Sequence, residues 1–191
     1  MTTTATTGWL TWTAGFLAFP IAGVLGGAVA GPVDGPIAAL VGGVVTGLVV
    51  GAGQALASRG RLDPRRWIPA TVAGMGAGLL LGASVVGFET SLGGLAAMGA
   101  LTGIPLGLAQ AAALPRTARH RALWAVALPA LWALGWTVTT AIGVDVEAQY
   151  TIFGSAGAVT FSALSGLLLQ YLAPMPTCAP QPPATKAGAA A

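Results

Sequence analysis

Long apolar runs broken by short charged clusters give this chain its pattern. The charges sit at Asp34, between Arg59 and Arg66, at Glu89, between Arg116 and Arg121, at Asp145 and Glu147, and at Lys186. Between them lie six stretches without a charge: 1–33, 35–58, 67–88, 90–115, 122–144 and 148–185. Each can supply the ~20 apolar residues that a helix needs to cross a hydrocarbon core of roughly 30 Å. A spanning segment must satisfy its own backbone, which favours helices, and the polar–apolar alternation of a β-barrel is missing. The pattern therefore predicts an all-α integral membrane protein with six transmembrane helices, near 9–30, 37–57, 67–87, 91–113, 122–143 and 150–172.

Within these runs two segments nearly repeat each other. Gly43, Thr46, Gly47, Gly51 and Gln54 are matched by Gly99, Thr102, Gly103, Gly107 and Gln110, a G-x-x-T-G-x-x-x-G-x-[GA]-Q pattern in both. Trp12, Trp67 and Trp124 each precede a glycine by eleven residues, at Gly23, Gly78 and Gly135. The even spans end in Gln54, Gln110 and Gln170. Three tandem helical hairpins follow, at about 1–57, 61–113 and 117–173, and they form one membrane domain, 1–173. Two-helix units return the chain to its starting side, so the copies are parallel and predict a pseudo-threefold bundle about an axis along the membrane normal. The third copy has drifted, with Gly154, Ala158, Ser162 and Gly166 as its small-residue stripe. Its odd helix carries Trp132 and Trp136, which are expected to face lipid or a partner protein.

The small residues mark seams. Membrane helices associate by close packing and interhelical hydrogen bonds. Gly43, Gly47 and Gly51, Gly99, Gly103 and Gly107, and Gly74, Gly78 and Gly82 each fall on one helix face, and Gly23, Gly27 and Gly31 suggest a similar stripe on the first span. The glutamines leave two readings open: a polar ring or ligand site of three amides, or staples that bond neighbouring helices. Thr46 and Thr102 could join such a ring or bond their own helix one turn back. Pro20, Pro105 and Pro129 predict kinks within spans.

Composition sharpens the picture. The 191 residues are 55% hydrophobic and only 7% charged, against about 25% in a soluble domain. Arg59, Arg61, Arg65 and Arg66, Arg116, Arg119 and Arg121, and Lys186 all fall on one side, which the positive-inside rule makes cytoplasmic, with both termini. The pI near 9.8 reflects these topology arginines, not a nucleic-acid partner. His120 belongs to the same basic loop. Ala28-Val29-Ala30 resembles a signal-peptidase site, but no basic residue precedes the apolar run, so the first span reads as retained. The Pro- and Ala-rich segment 174–191, holding Cys178, reads as a disordered cytoplasmic tail.

No ionisable side chain lies deep in a predicted span, and such residues mark proton relays, ion coupling and intramembrane catalysis. Ser155 has no histidine within the membrane to activate it. The expectation is a non-enzymatic protein without cofactor or metal. Its partners are the lipid bilayer and other membrane subunits, and no small-molecule ligand is identified.

The combination of tryptophan, glycine stripe and G-x-x-x-G-x-x-Q helix end before a basic loop resembles uncharacterised small multipass membrane proteins of bacteria. Those carry Trp after the glutamine, where this chain has Ala55, Ala111 and Tyr171. The resemblance implies the bacterial cytoplasmic membrane and no activity. Size and span number, with Ala14, Ala18 and Ala22 in A-x-x-x-A spacing, also resemble the substrate-binding subunits of energy-coupling-factor vitamin transporters. Three functions follow: a packing or accessory subunit of a larger membrane assembly, a passive channel or solute-binding transporter component with a glutamine-lined axis, or a lipid-handling or lipid-sensing protein, which only the basic cytoplasmic face supports.

Overall fold

The computed structural model describes residues 3–118 and 120–173, so Arg119, Lys186, Cys178 and the 174–191 tail lie outside the described residues. The regular secondary structure of those residues is all helical, with no strand. Helix α1 (Thr3–Ala14) runs through a 3-10 turn (Gly15–Leu17) into α2 (Ala18–Ala30). It is followed by α3 (Pro36–Ala57), α4 (Pro64–Val85), α5 (Leu92–Ala113), α6 (Arg121–Ala141) and α7 (Ser155–Leu172). Counting Ala5–Ala30 as one, six helices are long and apolar enough to cross a membrane.

Local chemistry sets the helix ends. Pro36 and Pro64 occupy first-turn positions, where a missing N–H costs nothing. The Asp63 carboxylate accepts from the Arg65 N–H at 3.0 Å, and the Ser91 hydroxyl accepts from Gly94 at 3.1 Å, so α4 starts three residues before the predicted boundary. The last helix starts five residues late. Residues 150–154 are instead non-helical, and Thr151, Ile152 and Phe153 among them are buried.

The helices form a closed ring in which each packs against its neighbours in sequence and α7 closes on α1. Glycines bring the backbones together. A methyl group added at Gly43 would lie 2.6 Å from the Met75 carbonyl oxygen, and at Gly47 2.8 Å from that of Thr71. Gly51 abuts the Thr71 side chain, completing the α3 side of the α3–α4 seam. Gly74, Gly78 and Gly82 of α4 meet Leu106, Thr102 and Met98 of α5. On the far side of α5, Gly99, Gly103 and Gly107 meet Trp132, Pro129 and Ala125 of α6. Where the neighbour is backbone, a side chain cannot rotate away, and even alanine forces the helices apart.

Two expectations are corrected here. Gly27 and Gly31 have open space where a side chain would project; the first span buries Phe19, Ala22 and Gly26 instead. Pro20 lacks the N–H that would bond the Phe16 carbonyl, and the chain tightens into the 3-10 turn just before it. The buried positions Trp12, Phe19, Ala22 and Gly26 keep helical spacing across this turn, so the inward face lies beside the small-residue stripe and not on it. The second correction concerns Trp132 and Trp136, which face the core at 1% and 2% exposure. Their rings pack around Phe153, with centroids at 4.8 and 6.0 Å, and so fill space that the inserted 150–154 segment shares. The outer face of α6 is aliphatic: Leu123, Val126 and Leu134.

Candidate functional site

Two clusters fill the middle of the ring. The first lies toward the loops that carry the arginines. Gln54 sits one turn from the end of α3 and Gln110 one turn from the end of α5, while Trp67 and Trp124 sit in the first turns of α4 and α6. The short basic loops therefore bring each glutamine beside the tryptophan that follows it. The Trp67 indole N–H donates to Gln54 Oε1 at 3.0 Å, and the Trp124 N–H to Gln110 Oε1 at 3.1 Å. The Gln110 amide nitrogen then donates to Gln54 Oε1 at 3.2 Å and to the Thr71 hydroxyl at 3.0 Å. The Thr71 hydroxyl itself donates to the Trp67 carbonyl one turn back, at 2.8 Å. Gln54 and Gln110 are 4% and 1% exposed.

The indoles close over this network. The Trp67 and Trp124 rings meet edge-on with centroids 5.8 Å apart, and Trp12 meets Trp124 at 6.4 Å. The Trp12 N–H donates to the Ser165 hydroxyl of α7 at 3.1 Å. Gln170 is not a third member. It lies one residue past buried Leu169, is partly buried, and donates to the Ala5 carbonyl at the start of α1. On this helix Gly166 packs against Trp12, and three residues after it stands Leu169, where three residues after Gly51 and Gly107 stand Gln54 and Gln110. A glutamine one residue later is turned about 100° from that face.

The second cluster lies toward the carboxylate-bearing loops. Phe153 stacks on Phe19 at 5.4 Å and contacts Phe161 at 6.0 Å as well as Trp132 and Trp136. Gly135 leaves room for its ring: an added methyl would lie 2.7 Å from Phe153 Cε1. Gly26 and Gly42 likewise make room for Thr151. Thr46 therefore does not bond its own helix but reaches Thr151, hydroxyl to hydroxyl, at 3.0 Å. Thr102 also reaches across a seam, donating to the Gly78 carbonyl at 3.2 Å. The Trp132 N–H is buried without a partner.

The arginines divide into two groups. Arg65, Arg66, Arg116 and Arg121 line one cavity between α4 and α5, and Arg59 is exposed elsewhere. Arg61 donates through Nε to the Ser58 carbonyl at 3.1 Å, but its terminal nitrogens are buried without a partner. Burial lowers its pKa from the usual arginine value. His120 precedes α6 in a left-handed conformation (φ 47°) and stacks on Tyr171, with centroids 6.3 Å apart.

Chemically, the polar side chains of the two clusters are amides, indoles and hydroxyls, which form hydrogen bonds but do not titrate near neutral pH. Among the described residues, no three of His, Cys, Asp and Glu come together as a metal site would need. Sequence reasoning singled out the glutamines and the tryptophans separately and missed their pairing. The usable signal was the distance across each basic loop, 13 residues from Gln54 to Trp67 and 14 from Gln110 to Trp124. Ser165, Thr71 and the buried Thr151–Phe153 segment carried no such signal.

Comparison with protein-family models, with curated proteins and with solved structures returns no match.

Proposed function

We propose that this chain is a non-enzymatic multipass protein of a bacterial cytoplasmic membrane, acting as a packing or accessory subunit of a larger membrane assembly. Its six spans are taken as three tandem hairpins around a pseudo-threefold axis, with the arginine loops and both termini in the cytoplasm. The orientation rests on the separation of arginines from carboxylates at alternate loops. The repeat is supported by the parallel pairs Trp67–Gln54 and Trp124–Gln110, with Trp12–Ser165 as the altered third pair.

The observation that carries the subunit reading is the filled centre of the ring. Three indoles and two bonded glutamines occupy one level, and five aromatic rings occupy the other, which leaves the axis to packing and not to passage. The alternative, a channel or solute-binding transporter component, needs an axis lined by those same glutamines, and their amides are already engaged with each other and with indoles. The outward surface is available for assembly. The first span is the least covered by its own chain, with Val24 72% exposed.

Gentle extraction from the native membrane followed by native mass spectrometry tests the proposal. The expected result is a protein partner at fixed stoichiometry, and its loss when Val24→Trp and Ile21→Trp enlarge the first span. A lone chain under crosslinking, together with solute flux in proteoliposomes, would replace the subunit reading with the transport one.

A further inference from the structure

At the arginine end a cavity of about 520 Å³ opens between α4 and α5. That volume is in the range of small-ligand sites, roughly 300–1,000 Å³. Arg65 and Arg66 enter it from the first turn of α4, Arg116 from the α5–α6 loop, and Arg121 from the first position of α6. Pro69 and Ala109 also line it. No carboxylate lines it. Asp63, the one acid in these arginine-bearing loops, directs its carboxylate at the Arg65 backbone N–H.

The four arginines are not equivalent. Arg121 is already engaged: Nε donates to the Ala111 carbonyl at 2.9 Å and a terminal nitrogen to that of Ala112, which caps the end of α5. It fixes the wall. Among the described residues the guanidinium groups of Arg65, Arg66 and Arg116 have no hydrogen-bond or ion-pair partner. Orienting a protein in a membrane needs only positive charge near the helix ends, in any arrangement. Convergence of four out of six described arginines on one concavity, with no carboxylate among its lining residues, is a further property that orientation does not require.

The geometry points to a binding site for a phosphate-bearing anion, gripped by Arg65, Arg66 and Arg116 against a wall positioned by Arg121. Guanidinium forks match phosphate oxygens two at a time, and the amino-terminal ends of α4 and α6 add positive potential from the same side. Two sources present this chemistry. One is the headgroup of an anionic phospholipid, which rests on the membrane orientation proposed above. The other is a soluble phosphate compound, which does not.

Native mass spectrometry of the full chain in neutral detergent tests the site, with phosphatidylglycerol, phosphatidylcholine and inorganic pyrophosphate as probes. One phosphatidylglycerol or pyrophosphate per chain is expected, retained at least about fivefold over phosphatidylcholine. Replacing Arg66→Gln and Arg116→Gln together should lower retention by about twentyfold, Arg66→Lys by less, and Arg59→Gln not at all. Phosphatidylglycerol that resists displacement by pyrophosphate identifies the lipid source; pyrophosphate bound without lipid preference identifies the soluble one. Either supports the site. Retention of neither above the phosphatidylcholine level overturns it, even if the double variant does not fold, and so does an equal loss in Arg59→Gln.

Discussion

The two levels of the core hold their aromatic side chains by different means. Near the arginine end, Trp12, Trp67 and Trp124 are each fixed by one hydrogen bond from the indole, to Ser165, Gln54 and Gln110. Near the carboxylate end, Trp132 has no partner for its N–H, and the rings are fixed by shape, with glycines opposite to receive them. The first arrangement specifies register, because a slipped helix leaves an indole N–H or an amide unpaired at a cost of about 1–3 kcal/mol. The second specifies volume, because a missing ring leaves a hole. Both devices act across helix seams, and so on helix association.

The comparison breaks most visibly at Phe153, which belongs to no helix and yet touches Phe19, Trp132, Trp136 and Phe161. Phe153→Ala is expected to cost about 3–5 kcal/mol of stability. Unfolding of the purified protein in detergent, followed by tryptophan fluorescence, checks it. A loss below about 1 kcal/mol would mean that the 150–154 segment rests on the bundle without filling it. Next in size is Gln110→Leu. It removes the acceptor of Trp124 and the donor to both Gln54 and Thr71, and the expected cost is about 2–3 kcal/mol. Gln54→Leu should cost less, about 1–2 kcal/mol, since Gln110 keeps Thr71 as a partner. Equal costs would show that the two amides do not act as a connected pair.

The same contrast explains what could be read from sequence. The spans were legible because charges punctuate them and six uncharged runs leave little freedom. The glycine faces of α3, α4 and α5 were legible because their stripes keep one helical period from end to end. The face of the first span was not, because Gly23, Gly27 and Gly31 keep the same spacing as a packing stripe while the positions that are buried are Phe19, Ala22 and Gly26. Residues 150–154 read as helix because Tyr-Thr-Ile-Phe-Gly is apolar and uncharged, and only Gly154, the residue before α7, marked the boundary. The direction of Trp132 and Trp136 depended on that error: without a phenylalanine inserted beside α6, two bulky rings have no reason to point inward. The partners of Gln54 and Gln110 were hidden because amide and indole approach across a loop, and helical periodicity is silent about that contact.

A matched pair of substitutions isolates the hydrogen bond from the packing. Trp124→Phe and Trp132→Phe remove the same atoms from sites that are both almost fully buried. The first also orphans Gln110 Oε1, and the second relieves an unpaired N–H. Trp124→Phe is therefore expected to be more destabilising by about 1–2 kcal/mol, measured in the same unfolding experiment. If Trp132→Phe proved the worse of the two, shape and not hydrogen bonding would govern both levels.

The smallest effect is expected at Gln170, and it bears on the proposed repeat. Its amide reaches the Ala5 carbonyl, an acceptor that already lies within helix α1, and its side chain is only partly buried. Removing it strands no indole and no second amide. Gln170→Leu should change stability by no more than about 0.6 kcal/mol, the average of membrane side-chain hydrogen bonds. Leu169 is the informative neighbour, because it stands three residues after Gly166 as Gln54 stands after Gly51 and Gln110 after Gly107. If the hairpins descend from one unit, Leu169→Gln places an amide at the level of the other two and beside Trp12, whose N–H now uses Ser165. Ser165→Ala alone should weaken the α7–α1 seam, and adding Leu169→Gln should restore part of the loss. Failure of the second change to recover any stability would set the third hairpin apart from the other two, and with it the threefold arrangement.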